Sequence, residues 1–284
     1  MDYKIALEKV ENSSLKVVKD VIECDPKWSS EIFQSYYLDR ESKRMKPNVV
    51  LIQPPEMDVI FSTNGHGFKG AEIDFSKKLV AIWGDSVVFG VKGGWVEGIA
   101  RYFSAYQFLN GGLEGDTPDN ICARAIEKNR ELNISYNIIF PGWHDITDPE
   151  KTYHLLHKVL SNVPGGILCT VPTSLNEKIV EKDLRSFFTP KDHSTETSYL
   201  FWGNIEYSIK NAKVLFTRLL HRNKVVHMVA QERNVPIVDL YSYFHTNSEE
   251  TLRKDFFDAG HPRISAFPKF QRVFYEELKD VLHC

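Results

Sequence analysis

The stretch "KKLVAIWGDSVVFG", residues 77–90, runs as an unbroken apolar segment into a Gly-Asp-Ser turn. A short continuous apolar run that ends in turn residues fits a strand buried on both faces of a parallel sheet. Outward from it the same rhythm repeats. "GWVEGIARYFSAY" places Trp95, Ile99, Tyr102, Phe103 and Tyr106 at helical spacing, "QFLN" reads as a second strand, and "DTPDNICARAIEKNRE" as a helix. That helix has Thr117 as its N-cap and Pro118 at its first position, where a missing N–H costs nothing. "NISYNIIF" is the third strand, "DPEKTYHLLHKVLSN" the next helix and "GGILCTVP" the fourth strand. A long helix from about Ile205 to Asn234, a fifth strand "VPIVDL" and a C-terminal helix marked by Phe267, Phe270, Val273, Phe274 and Leu278 complete the series. Apolar strands alternating with amphipathic helices predict a parallel sheet covered on both faces.

Two segments break the pattern. Residues 1–70 read as an N-terminal extension packed on a main domain over 71–284, with an amphipathic helix expected around "SSLKVVKDVIE", a short apolar stretch "NVVLIQPP", and then "MDVIFSTNGHGFKG", strand-like and then turn-rich. Residues of about 174–203 form a charged, aromatic insertion after the fourth strand. Its aromatics Phe187, Phe188, Tyr199, Phe201 and Trp202 serve either as a lid facing substrate or as an anchor for a long loop.

Composition narrows the function classes. The chain has 284 residues, 42% of them hydrophobic and 26% charged, with a formal net charge of −3. That balance suits a globular protein and gives no electrostatic footprint for nucleic acid or an anionic membrane surface. No apolar run reaches the roughly 18 residues of a membrane-spanning helix. The N-terminal segment lacks the apolar core of a signal peptide, so a cytoplasmic location is expected. The four cysteines, Cys24, Cys122, Cys169 and Cys284, match neither a metal pattern nor a disulfide framework. Cys122 and Cys169 lie in apolar segments, which suits buried thiols.

In such sheets functional groups gather beyond the carboxyl ends of the strands. Strand one ends at Ser86, beside the N-terminus of the next helix; Gly-Asp-Ser is also an ordinary turn and cap. Strand two ends in "NGGLEGDTP", strand three in "PGWHD", and strand four in "PTSLN". Past strand five, "FFDAGHPRISAF" sets Asp258 three residues before His261, a spacing that can bring a carboxylate to one imidazole nitrogen or can simply cap a helix. Phosphate-loop and dinucleotide fingerprints are absent, as is the Gly-x-Ser-x-Gly elbow. A serine, a glycine loop, a polar donor and an Asp/His pair at successive strand ends of one sheet form a constellation that separate accidents do not readily produce.

"IWGDSVVFG", "FLNGGLEGDTPDN" and "DAGHPRISAFPKF" resemble, in this order, the motif blocks of the SGNH (GDSL-like) hydrolase superfamily, and "TNGHGFKG" is similar to a segment found ahead of the first block in some members. The resemblance covers about Lys77 to the C-terminus. It implies a three-layer α/β/α, flavodoxin-like fold with a five-stranded parallel sheet, and a serine esterase that needs no metal or organic cofactor. It implies Ser86 as nucleophile, His261 as general base and then acid, and Asp258 as the group orienting His261. For the oxyanion hole it implies the backbone N–H groups of Ser86 and Gly115, with Gly112 as the neighbouring alternative. The family's third block carries Gly-x-Asn-Asp; here Gly142-Trp143-His144-Asp145 puts His144 where the asparagine donor is expected. A neutral imidazole has one N–H and can replace an amide donor if its tautomer suits.

The substrate class so implied is a small-molecule or carbohydrate ester, an acetyl ester among them. Acyl transfer to a sugar or other alcohol uses the same motifs, and a non-catalytic binding protein of the same fold is the third alternative. Asp85 and Asp145 read as loop braces. Trp143 reads as a pocket wall or as core filler. His154 and His157 make an HxxH pair that, with no third ligand in view, reads as a solvated helix face.

Overall fold

A computed structural model describes residues 16–18, 38–39, 41–42, 44–53, 58–90, 94–145, 148–182, 202–256 and 258–282. The insertion aromatics Phe187, Phe188, Tyr199 and Phe201, the side chain of Trp202, and Cys24 and Cys284 lie outside what is described.

Strands β1 (Lys16–Val18), β4 (Val49–Gln53) and β5 (Asp58–Ser62) form a three-stranded sheet, and β2 (Leu38–Asp39) pairs antiparallel with β3 (Arg44–Met45). The helix expected around residues 13–23 is therefore corrected at its centre: Lys16–Val18 is a strand paired in parallel with Val49–Leu51. Its Val17-Val18 pair carries the stiff, β-branched side chains that suit a pleated surface better than a helix.

The main sheet is built from β6 (Lys78–Gly84), β7 (Tyr106–Gly112), β8 (Tyr136–Ile139), β9 (Gly166–Cys169) and β10 (Ile237–Val238). All four pairings are parallel and the order is β10-β9-β8-β6-β7. This is the expected five-stranded parallel sheet. The chain reverses its winding between β6 and β8, so the crevice beyond their carboxyl ends is the topological switch point where such sheets place ligands.

Alternation along β6 supplies both cores. Val80 and Ile82 face one hydrophobic cluster, whereas Leu79, Ala81 and Trp83 face the other. Between β6 and β7 lie a one-turn helix, α1 (Ser86–Phe89), and a 3₁₀ helix over Glu97–Tyr102 where a longer helix was expected. Helix α2 (Pro118–Leu132) begins at Thr117 with Pro118 at its first position, and α3 (Pro149–Leu160) is capped by Asp148, whose Oδ1 accepts from Lys151 N at 2.8 Å. Both pack on the Trp83 side through residues such as Ile121, Ala125 and Val159. Helix α4 (Trp202–Arg233) spans both cores, with Leu215 and Leu219 in one and Val226 and Val229 in the other.

Two short helices, α5 (Leu240–His245) and α6 (Glu249–Asp255), intervene between β10 and the Asp258 loop. The fifth strand is only Ile237–Val238, because Asp239 caps α5 and ends the strand early. A 3₁₀ turn over Ile264–Ala266 then leads into α7 (Phe267–Leu278), whose Phe270 and Phe274 pack on Trp95. Among the described residues no helix is long and apolar enough to cross a membrane.

Candidate active site

Ser86 opens α1 at the carboxyl end of β6, where the strand stops because Asp85 caps the turn: its Oδ1 accepts from Val87 N at 3.0 Å. Fully buried Asp85 reaches further, its Oδ2 accepting from Trp143 N at 2.5 Å. One carboxylate thus ties the serine turn to the loop beyond β8, as expected for a loop brace.

Ser86 Oγ lies 2.7 Å from His261 Nε2, and His261 Nδ1 lies 2.6 Å from Asp258 Oδ2. Asp258 is 1% exposed, and its second oxygen accepts from Gly260 N at 2.8 Å and His261 N at 2.7 Å. One carboxylate therefore folds the loop and orients the imidazole that the loop carries. The segment that follows β9 secures that loop: Thr173 Oγ1 donates to Ala259 O at 2.7 Å, and Ser174 Oγ donates to Asp258 O at 2.8 Å. Trp143 lies against the same loop. A Cβ added at Gly260 would sit 2.4 Å from the indole, so only glycine fits there. Trp143 is half-buried and packs on the core, and its Nε1 is buried with no hydrogen-bond partner among the described residues.

Opposing effects act on His261. Burial disfavours its charged form, but the Asp258 carboxylate beside it, with lesser help from Asp85 and Glu114, holds its pKa above the ordinary histidine value. A serine hydroxyl hydrogen-bonded to a basic imidazole that is itself bonded to a buried carboxylate can be deprotonated as it attacks an electrophilic carbon.

The glycine loop after β7 packs directly on α1. A Cβ at Gly112 would fall 2.1 Å from Phe89 N, so the close approach requires glycine. The Gly112 N–H is already given to Asn110 Oδ1 at 3.0 Å, whereas none of the hydrogen bonds among the described residues uses the N–H of exposed Gly115. Of the two glycines considered for the oxyanion hole, Gly115 is the one with an N–H to offer. Ser86 N, at the first position of α1, is also outside the helix's own ladder.

His144 is exposed, and its ring makes no hydrogen bond among the described residues. Its backbone is held firmly. Buried Arg222 on α4 donates from Nη1 to Pro141 O at 3.0 Å, Gly142 O at 2.7 Å and His144 O at 2.8 Å, and from Nη2 to Asp145 O at 2.6 Å. Asp145, read from sequence as a brace, instead has its carboxylate at the surface, 3.4 Å from Lys151 Nζ. The neighbouring Asn223 clasps the chain just beyond β9, accepting from Val171 N at 2.8 Å and donating to Val171 O at 3.0 Å. Sequence reasoning passed over both residues. The available signal was a charged residue inside the apolar stripe Leu215, Leu219, Arg222, Val226, Val229, whose spacing of three and four marks the buried face of α4.

The HxxH pair separates: His154 is exposed, and His157 Nε2 lies 3.0 Å from Glu232 Oε2. No group of three or more metal-ligating side chains occurs among the described residues. Cys122 and Cys169 are buried, free thiols.

No protein-family model matches the sequence, and no curated protein sequence matches it. Solved structures do. A GDSL-like lipase from Bacteroides thetaiotaomicron is similar with a TM-score of 0.51 at 15% identity, over 75% of this chain and 93% of that one. A lipase/acylhydrolase from Enterococcus faecalis gives 0.50 at 16% identity, over 72% and 96% of the two chains. A catalytic mutant of an acetylxylan esterase from Geobacillus stearothermophilus gives 0.50 at 18% identity, over 73% and 96%. At such identities the likeness is one of architecture alone: the chain has the α/β fold of the SGNH (GDSL-like) hydrolases.

Proposed function

We propose that this protein is a serine hydrolase of carboxylic esters, with Ser86, His261 and Asp258 as its catalytic triad. The observation that carries the reading is the unbroken hydrogen-bond chain from Ser86 Oγ through His261 to Asp258, at the switch point of the sheet.

In the proposed reaction Ser86 Oγ attacks the ester carbonyl carbon while its proton passes to His261 Nε2. The carbonyl oxygen becomes an oxyanion, held by the N–H groups of Ser86 and Gly115 and by the His144 ring. Collapse breaks the bond to the alkoxy oxygen, which leaves as an alcohol with the proton from His261. Water then attacks the acyl-enzyme, gives a proton to His261, and the second collapse frees the carboxylic acid and returns the proton to Ser86. The Asp258 carboxylate stabilises the imidazolium that forms twice in the cycle.

An acetyl ester of a carbohydrate is the substrate we propose to try first, since an acetylxylan esterase is among the similar structures. Fold alone is a weak guide to substrate. A panel of esters graded in acyl length, run on the wild type and on Ser86→Ala, tests the reading: turnover by the wild type alone supports it, and equal turnover by both proteins removes it.

A further inference from the structure

The short helix that presents Ser86 is gripped at its other end by a buried lysine. Lys69, 3% exposed, donates from Nζ to Phe89 O at 2.7 Å and to Gly90 O at 3.0 Å, the carbonyls of the last residue of α1 and of its C-cap. The ammonium also lies 4.6 Å from the centre of the Phe89 ring. A helix of one turn, four residues long, leaves its C-terminal carbonyls without intrahelical partners, and a cation there satisfies them and complements the local dipole.

The backbone of Lys69 fastens the other side of the site. Lys69 N–H donates to Asn110 O at 3.1 Å on β7. Asn110 in turn gives its Nδ2 to Phe89 O at 3.3 Å and takes the Gly112 N–H on its Oδ1 at 3.0 Å. Lys69 and Asn110 therefore join the nucleophile turn to the glycine loop that carries Gly115, three segments otherwise distant in sequence.

We propose that Lys69 is a positioning residue for the ester reaction: by clamping the carboxyl end of α1 and the start of the glycine loop together, it sets Ser86 Oγ and the backbone oxyanion donors in register. The proposal rests on the hydrolase reading above. It assigns a purpose to the lysine of "TNGHGFKG", which neither the triad nor the oxyanion hole uses.

A buried ammonium is costly, and its environment shows the cost. Burial pulls the Lys69 pKa down to about 8, against Glu97 on the 3₁₀ helix and Glu114 in the glycine loop, both of which raise it. Glu97 is itself held above the ordinary carboxylate range by burial, countered by Lys69. Above pH 8 the amine keeps donor hydrogens but loses the charge that strengthens its bonds to the carbonyls. The clamp is therefore strongest on the acid side of that value and slackens on the alkaline side.

The test uses the full chain with p-nitrophenyl acetate as substrate and a fluorophosphonate as covalent probe, comparing wild type, Lys69→Met and Lys69→Gln. A nucleophile displaced by about 1 Å costs on the order of 100-fold in rate, so Lys69→Met is expected to lower kcat by about tenfold or more, with KM little changed and labelling slowed in parallel. The wild-type kcat falls above pH 8, and that alkaline limb is missing in both variants. Lys69→Gln, which keeps a donor without the charge, retains more kcat than Lys69→Met and is the variant to read if Lys69→Met does not fold. A Lys69→Met protein with reduced Tm but wild-type kcat per folded molecule overturns the proposal, as does a variant that keeps the alkaline limb. If the wild type neither labels nor turns over ester, the hydrolase reading itself has failed and the proposal falls with it; an active wild type with indifferent Lys69 variants removes the proposal alone.

Discussion

Ser86 Oγ and His261 Nε2 approach to 2.7 Å although 175 positions separate them in the sequence. The approach is produced by the sheet, whose first strand ends in the serine turn, and by the buried Asp258 that folds the histidine loop back over it.

Asp258 orients the ring and stabilises its charged form, so Asp258→Asn is expected to lower kcat by on the order of 1,000- to 10,000-fold while leaving KM within a few-fold. The carboxamide can still accept from the Gly260 and His261 N–H groups but imposes the wrong tautomer on the imidazole. Steady-state kinetics on a protein whose circular dichroism matches the wild type checks this.

The pH dependence follows from the direction of the His261 shift. In the proposed mechanism the neutral imidazole is the base, and Asp258 holds its pKa above the usual histidine value of about 6.5. Accordingly kcat/KM rises with pH along an acid limb centred above that value. The same shift acts oppositely on stability: a raised folded-state pKa contributes stability that is full below about 6.5 and is lost as pH rises through the folded value. A pH–rate profile beside denaturation midpoints across the same range measures both trends.

In the proposed site His144 stands in for an amide donor, and its ring is exposed. His144→Asn is expected to keep or raise esterase activity, and His144→Ala to lower kcat by about tenfold or more, within the cost usual for a lost oxyanion donor. Two silent substitutions alongside a dead Ser86→Ala would make His144 a bystander.

Arg222 is the brace beneath that loop. Burial draws its pKa down to about 10, and Asp85 and Asp145 oppose the shift, so it remains charged at neutral pH. Arg222→Met strands the carbonyls of Pro141, Gly142, His144 and Asp145 and is expected to cost about 3 kcal/mol of stability. Chemical denaturation reads that loss. Arg222→Lys recovers only part of it, because an ammonium cannot reproduce the planar fork.

The alternating apolar runs made the five strands legible, and the strand ends pointed to Ser86, Asp258 and His261, because these side chains sit in turns that the sequence marks with Gly, Asp and Pro. Helices α5 and α6 escaped because elements of six and seven residues carry too few turns for periodicity to register. The residues that brace the site escaped for a different reason. Lys69, Asn110, Thr173 and Arg222 donate to backbone carbonyls of remote segments, and a backbone partner leaves no complementary residue type for the sequence to display. Arg222 alone left a trace, as a charge within an apolar stripe.

The central claim is that Ser86 is an activated nucleophile, and covalent labelling tests it most directly. Wild-type protein treated with a fluorophosphonate and digested should carry the adduct on the peptide containing Ser86, with labelling and ester turnover both abolished in Ser86→Ala. Wild-type protein that takes no label, or that takes it equally after Ser86→Ala, would contradict the account.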